Sequence, residues 1–129
     1  MQPGTRLRTV RLSLPFSADA PTLARRGLAA SPYVPDGRRD DLELLVSELV
    51  TNAVRHADTR GRDAIQVAAA FAPGEVRVAV RDGGTTIPAP RVPDDDGGFG
   101  LNIVDEVADE WGAGPGEVWF VLRSPGRFV

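Results

Sequence analysis

Two short segments hold the residues with chemistry to offer. In the first, Glu48-Leu49-Val50-Thr51-Asn52-Ala53-Val54-Arg55-His56-Ala57, an acid and an amide stand four residues apart in an otherwise apolar pattern. On a helix Glu48 and Asn52 therefore project from one face, with Arg55 a further turn along. The Asn52 amide oxygen is a fitting ligand for magnesium. Glu48, set among Val46, Leu49 and Val50, can orient or deprotonate a nucleophile or a metal-bound water. An exposed polar strip accounts for the same spacing, with His56 near the helix C-terminus complementing the dipole.

The second segment lies about thirty residues further on, as Arg81-Asp82-Gly83-Gly84 followed by Gly97-Gly98-Phe99-Gly100-Leu101. Asp82 ends a strand in a carboxylate, an acceptor suited to the exocyclic amino group of adenine. Guanine carries an oxygen at that ring position, so such a site favours ATP over GTP. Asp-Gly-Gly is equally a common turn for backbone reasons. Gly97, Gly98 and Gly100 precede an amphipathic pattern, where they let the backbone approach a phosphate and the free amides of a helix N-terminus meet its charge. The spacing is not a dinucleotide fingerprint, because it follows a loop and its sixth position is Ile103. Taken together, the two segments read as a nucleotide pocket.

The elements that must position these residues are legible from hydrophobic period. Val10, Leu12 and Leu14 alternate with Arg11 and Ser13 over 8–14, an edge-type strand ended by Pro15. A short helix is expected over 19–30, weakened by Gly27. Asp36 is placed to cap the next helix, Asp40 and Asp41 favour its positive end, Leu42, Leu45, Leu49 and Ala53 recur at helical spacing, and Gly61 supplies a stop. Residues 64–82 alternate on either side of Pro73-Gly74, predicting an antiparallel hairpin that ends at Asp82. The stretch from Gly83 to Gly97 has no period and reads as a lid. Leu101, Ile103, Val104, Val107 and Ala108 define a last helix, and 117–123 a closing strand around Val118, Phe120 and Leu122. Helices and hairpins in this order predict an α+β two-layer sandwich with helices on one face of the sheet.

Composition narrows the function classes. The 129 residues fit a single domain, 1–129, large enough to bury a core. A net charge of −3 gives no basic stripe for DNA or RNA, and the absence of cysteine excludes thiol catalysis, disulfides and cysteine-held zinc. With His56 the only histidine, polyhistidine metal sites are excluded too. All 15 basic residues are arginine, which removes the P-loop lysine and any Schiff-base lysine. No signal-peptide h-region or membrane-spanning apolar run is present, so a soluble cytoplasmic protein without a membrane partner is expected.

ELVTNAVRHA resembles the N-box, RDGG the adenine-binding G1 box and GGFGLNIVDEVADEWG the G2 box of the GHKL ATP-binding superfamily, whose members include gyrase, the ninety-kilodalton heat-shock chaperone, histidine kinases and mismatch-repair ATPases. The order of the motifs, their separations and the short chain are most similar to stand-alone anti-sigma factor serine/threonine kinases of the actinobacterial type. The resemblance covers nearly the whole chain. It implies a Bergerat-type fold with a mixed, mostly antiparallel sheet, and ATP and Mg2+ as cofactors. By position it implies that Asn52 ligates magnesium, Asp82 recognises adenine with Gly84 admitting the base, and Gly98, Gly100 and the Leu101 amide border the phosphates. Glu48 would be the activating base. Arg55 matches a position that in related kinases contacts phosphate, and a solvated arginine fits there as well; His56 is structural or packs near the ribose.

The implied partners are a sigma factor and a STAS-domain anti-anti-sigma protein phosphorylated on serine or threonine, with a homodimer through the sheet edge or first strand. No helix pair with a phosphorylated histidine and no DNA-gate domain is expected ahead of the fold. Two departures stand out: Asp82-Gly83-Gly84-Thr85-Thr86 lacks the second glycine of the fuller G1 pattern, and the lid carries Asp94-Asp95-Asp96 beside the single basic Arg91. They leave open a non-catalytic GHKL-fold module that binds a regulatory partner with or without nucleotide, and a simple ATPase.

Overall fold

The computed structural model describes residues 7–56, 64–84, 87–88 and 100–125. Five strands and three helices follow in the order β1 (Arg8–Leu14), α1 (Ala20–Ala29), α2 (Arg39–His56), β2 (Ile65–Ala72), β3 (Glu75–Arg81), α3 (Gly100–Val107), β4 (Glu110–Gly114) and β5 (Glu117–Arg123). The sheet order is β1-β2-β3-β5-β4, and all four pairings among the described strands are antiparallel. β1 lies at one edge and β4 at the other, while β3 and β5 sit side by side across a long connection.

Strand alternation sorts the residues between the two faces of the sheet. Ile65, Val67, Ala69 and Phe71 of β2 turn inward together with Val76, Val78 and Val80 of β3 and Val118, Phe120 and Leu122 of β5. They form one core with Ala24 and Leu28 of α1, Leu42, Leu45, Val46, Leu49 and Val50 of α2, and Leu101 and Val104 of α3. The expected two-layer α+β sandwich is thus the architecture, with the sheet as one layer and the helices as the other. None of the described helices is long and apolar enough to cross a membrane.

The helix expected over 19–30 is present as α1, while the Asp36 cap and strand β4 differ from the sequence expectations. Gly27 weakens α1 by propensity, yet α1 runs through it, because a Cβ there would lie 2.7 Å from Leu12 Cδ1. The glycine allows the helix to press onto β1, and packing outweighs a propensity cost of about 1 kcal/mol. Asp36 does not occupy the N-cap of α2: a turn in which the Arg38 amide donates to the Pro35 carbonyl at 3.0 Å delays the helix to Arg39. Asp40 and Asp41 do fall in its first turn. Strand β4 was not expected at all, since Glu110-Trp111-Gly112-Ala113-Gly114 has no apolar alternation. Its Gly112 lies under the Trp119 indole, where a Cβ would come within 2.7 Å of the ring. The expected Gly61 stop lies outside the described residues.

Arg38 ties the helical layer to the sheet at one end of the molecule. One guanidinium nitrogen, Nη1, donates to Asp109 Oδ2 at 3.1 Å and to the Arg123 carbonyl at 2.9 Å, and Nη2 donates to the Val107 carbonyl at 3.0 Å. The Arg38 Nε is 3.0 Å from Asp41 Oδ2, an ion-pair distance without hydrogen-bond alignment. Asp109 Oδ2 also accepts the Arg123 amide at 2.7 Å. A cation thereby meets the negative C-terminal end of α3 and links α2, α3 and β5. Replacing Arg38 by alanine is expected to lower stability by about 2–3 kcal/mol, since several hydrogen bonds to or from charged groups go at once. Urea denaturation checks this, and a loss under about 0.5 kcal/mol would show that the network contributes little.

Candidate functional site

The core stripe of α2 runs through Leu42, Leu45, Val46, Leu49, Val50 and Ala53, all buried. Glu48 and Asn52 stand on the flank of that stripe and are half-buried, while Arg55 is exposed. Helical geometry puts Glu48 and Asn52 one turn apart on that flank. Among the described residues Glu48 has no ion pair. A half-buried carboxylate without a cation beside it is more costly than a solvated one, which fits a polar edge facing a ligand better than a stabilising surface strip. His56 closes α2.

Asp82 follows directly on β3 and is held at both ends. Its amide donates to the Gly116 carbonyl at 2.9 Å, and its Oδ1 accepts the Gly84 amide at 2.6 Å. The second contact is the short side-chain-to-backbone turn that Asp favours two residues ahead of a free N–H. It leaves Oδ2 without a partner among the described residues. The turn reading of Asp-Gly-Gly is thus present in the structure, built by one oxygen, and the recognition reading would use the other. Gly84, half-buried, supplies the amide that orients the carboxylate.

Gly100 opens α3 and Leu101, 7% exposed, anchors that first turn in the core. No acidic residue lies in the first turn, so the positive end of this helix keeps its attraction for an anion. Its opposite end is satisfied by Arg38. Packing of α2 against both α3 and β3 makes it the common neighbour of the elements that carry Asp82 and Gly100. Gly98 and the lid with Arg91 and Asp94-Asp95-Asp96 lie outside the described residues.

The donor set bears on the metal. Among the described residues no three His, Cys, Asp or Glu side chains come together as a metal cage. Magnesium needs none when phosphates and water supply most of its octahedron, so one amide oxygen from Asn52 fits that chemistry. Sequence reasoning missed Gly116 as a neighbour of the Asp82 loop. The Pro115-Gly116 dipeptide signals a turn, but its contact with Asp82 depends on pairing β3 with β5 across 35 intervening residues, from Asp82 to Gly116.

Comparison with known proteins gives a consistent picture. A family model described as a histidine kinase-like ATPase domain matches residues 16–122. A crystal structure of the RsbU and RsbW domains of Rv1364c from Mycobacterium tuberculosis is similar at 27% sequence identity with a TM-score of 0.56, over 95% of this chain and 34% of that one. The chain thus spans about a third of that protein's solved length. No protein of curated function matches significantly.

If the free oxygen of Asp82 accepts the adenine amino group, Asp82→Ala should weaken ATP binding by about 1.5–3 kcal/mol and leave GTP binding nearly unchanged. Calorimetric titration with both nucleotides measures this; equal losses for ATP and GTP would remove the base-recognition role.

Proposed function

Because the chain belongs to the histidine kinase-like ATPase domain family, we propose that it is an ATP- and magnesium-binding regulator of the anti-sigma factor kinase type. In this reading it sequesters a sigma factor and phosphorylates a serine or threonine of a STAS-domain anti-anti-sigma protein. The observation that carries the nucleotide part is the seating of Asp82 at the end of a core strand, where its carboxylate is oriented by its own loop through Oδ1 and Oδ2 has no partner among the described residues. The likeness to a solved chain containing an RsbW domain supports the kinase part.

The roles follow from position and chemistry. Asp82 accepts from the base and Gly84 leaves room for it; Gly98, Gly100 and the Leu101 amide border the phosphates. Asn52 offers its amide oxygen to magnesium, and Arg55, exposed at the end of α2, reaches toward phosphate. Magnesium, when bound, would neutralise charge on the phosphates. Glu48 takes the proton from the acceptor hydroxyl as its oxygen attacks the γ-phosphorus and ADP departs. In phosphoryl transfer positioning and charge neutralisation dominate, so Glu48 contributes less than the magnesium and the helix-end amides, and its loss is felt in rate because it acts on the proton of the acceptor and not on ATP. A homodimer through β1 belongs to the same proposal, as β1 is an edge strand among the described strands.

Two measurements test the reading in order. Titration of the protein with ATP, ADP and GTP, with and without magnesium, should give adenine-selective, magnesium-dependent binding that Asn52→Ala makes insensitive to magnesium. Incubation with labelled ATP and candidate STAS proteins should then label the partner. Glu48→Gln is expected to retain ATP binding and to lose transfer by about a hundredfold or more, the usual range for a general base. Transfer persisting near the wild-type rate would sink the base assignment. Nucleotide binding with no labelled partner and no phosphate release would favour the non-catalytic module.

A further inference from the structure

The turn between β4 and β5 presses its backbone onto the loop that follows β3. Gly116 is buried and left-handed, at φ 64°. A Cβ at that position would lie 2.3 Å from the Gly84 carbonyl oxygen, 2.7 Å from its nitrogen and 2.8 Å from its carbonyl carbon. All three are backbone atoms, which have no rotamer by which to move aside. The Gly116 carbonyl also accepts the Asp82 amide at 2.9 Å. Gly116 therefore touches both residues that determine where the Asp82 carboxylate points: Asp82 through its amide, and Gly84, whose own amide donates to Oδ1 at 2.6 Å.

Gly74 provides an internal comparison. It occupies the corresponding place in the turn between β2 and β3, at φ 73°, yet a Cβ there would meet only Ser124 Oγ at 4.0 Å. Both glycines answer the same demand for left-handed backbone. Only Gly116 answers a second one, the close approach of two loops.

We propose that Gly116 is a positioning residue for base selectivity. By seating Gly84 it holds the Asp82 carboxylate in the orientation that admits an amino group and rejects a carbonyl oxygen, so the β4–β5 turn governs the choice of ATP over GTP without contributing a side chain. This rests on the nucleotide reading given above. A side chain at 116 displaces Gly84, loosens the contact between Oδ1 and the Gly84 amide, and lets the carboxylate turn.

The test is calorimetric titration of ATP and GTP into the wild-type protein, Gly116→Ala, Gly74→Ala, Asp82→Ala and the double variant Gly116→Ala/Asp82→Ala. Gly116→Ala is expected to lower ATP affinity about tenfold or more, the scale of a lost hydrogen bond to a charged group, with GTP affinity unchanged. Gly74→Ala, carrying the same left-handed strain, should keep the wild-type ATP-to-GTP ratio, and the double variant should match Asp82→Ala alone. A ratio within about twofold of wild type in Gly116→Ala, or losses that add in the double variant, would overturn the proposal. Should Gly116→Ala not fold, amide-resolved spectra of the wild type decide: adenosine should shift the Gly116 and Glu117 resonances and leave Gly74 in place, and an unmoved Gly116 overturns the inference. A wild-type protein that binds neither nucleotide overturns the nucleotide reading and this inference together. ATP binding that Gly116→Ala leaves intact overturns this inference alone.

Discussion

The antiparallel pairing of β3 with β5 is the constraint on which the rest of the structure depends. It sets Val78 opposite Phe120 and Val80 opposite Val118, which places a fully buried aromatic of β5 against the fully buried Val78 of β3. The same register puts Arg81 opposite Glu117, where the two side chains pair at 2.8 Å, and so brings the residue after β3 level with the turn before β5. A slip by one residue would turn every inward valine of β3 out to the open face. Burial of the core therefore also determines that Asp82 meets Gly116.

The helical layer is organised by the same economy of position. α2 uses one stripe for the core and leaves Glu48 and Asn52 on its flank, so that functional groups are added without interrupting the apolar seam. α3 is only eight residues long, from Gly100 to Val107, and its two ends face different partners. Arg38 satisfies the carbonyl end at Val107. The amide end keeps no carboxylate of its own in the first turn. A short helix with its negative pole neutralised and no acidic residue in its own first turn suits an anion at that end.

What the sequence could reveal was local. The β2–β3 hairpin is legible because Val, Ile and Phe alternate tightly about Pro73-Gly74, and α2 because Leu42, Leu45, Leu49 and Ala53 recur at helical spacing. β4 was hidden because its residues are chosen to fit beneath Trp119 instead of to fill a core, a demand visible only after the β4–β5 register is known. The reason for Gly27 inside the correctly expected α1 was hidden in the same way, since its absent side chain answers to Leu12 on a different element. In the site, Glu48, Asn52, Asp82 and Gly100 stood out by type and spacing. Gly116 did not, as its role comes from a contact that closes over the whole stretch from β3 to β5.

In the proposed reading the arrangement also separates two recognition tasks. The carboxylate intended for the base is attached to the sheet and oriented by hydrogen bonds that exist before any ligand arrives: Asp82 to Gly116 through the backbone, and Gly84 to Asp82 through the side chain. The groups suited to phosphate and metal sit on helices, at Gly100 and Leu101 on α3 and at Asn52 on α2. A preoriented acceptor loses little freedom on binding, so its hydrogen bond contributes nearly its full value to affinity. In that reading discrimination between bases follows from folding itself, and the groups that would meet phosphate and metal stand on elements outside the register of the central strands.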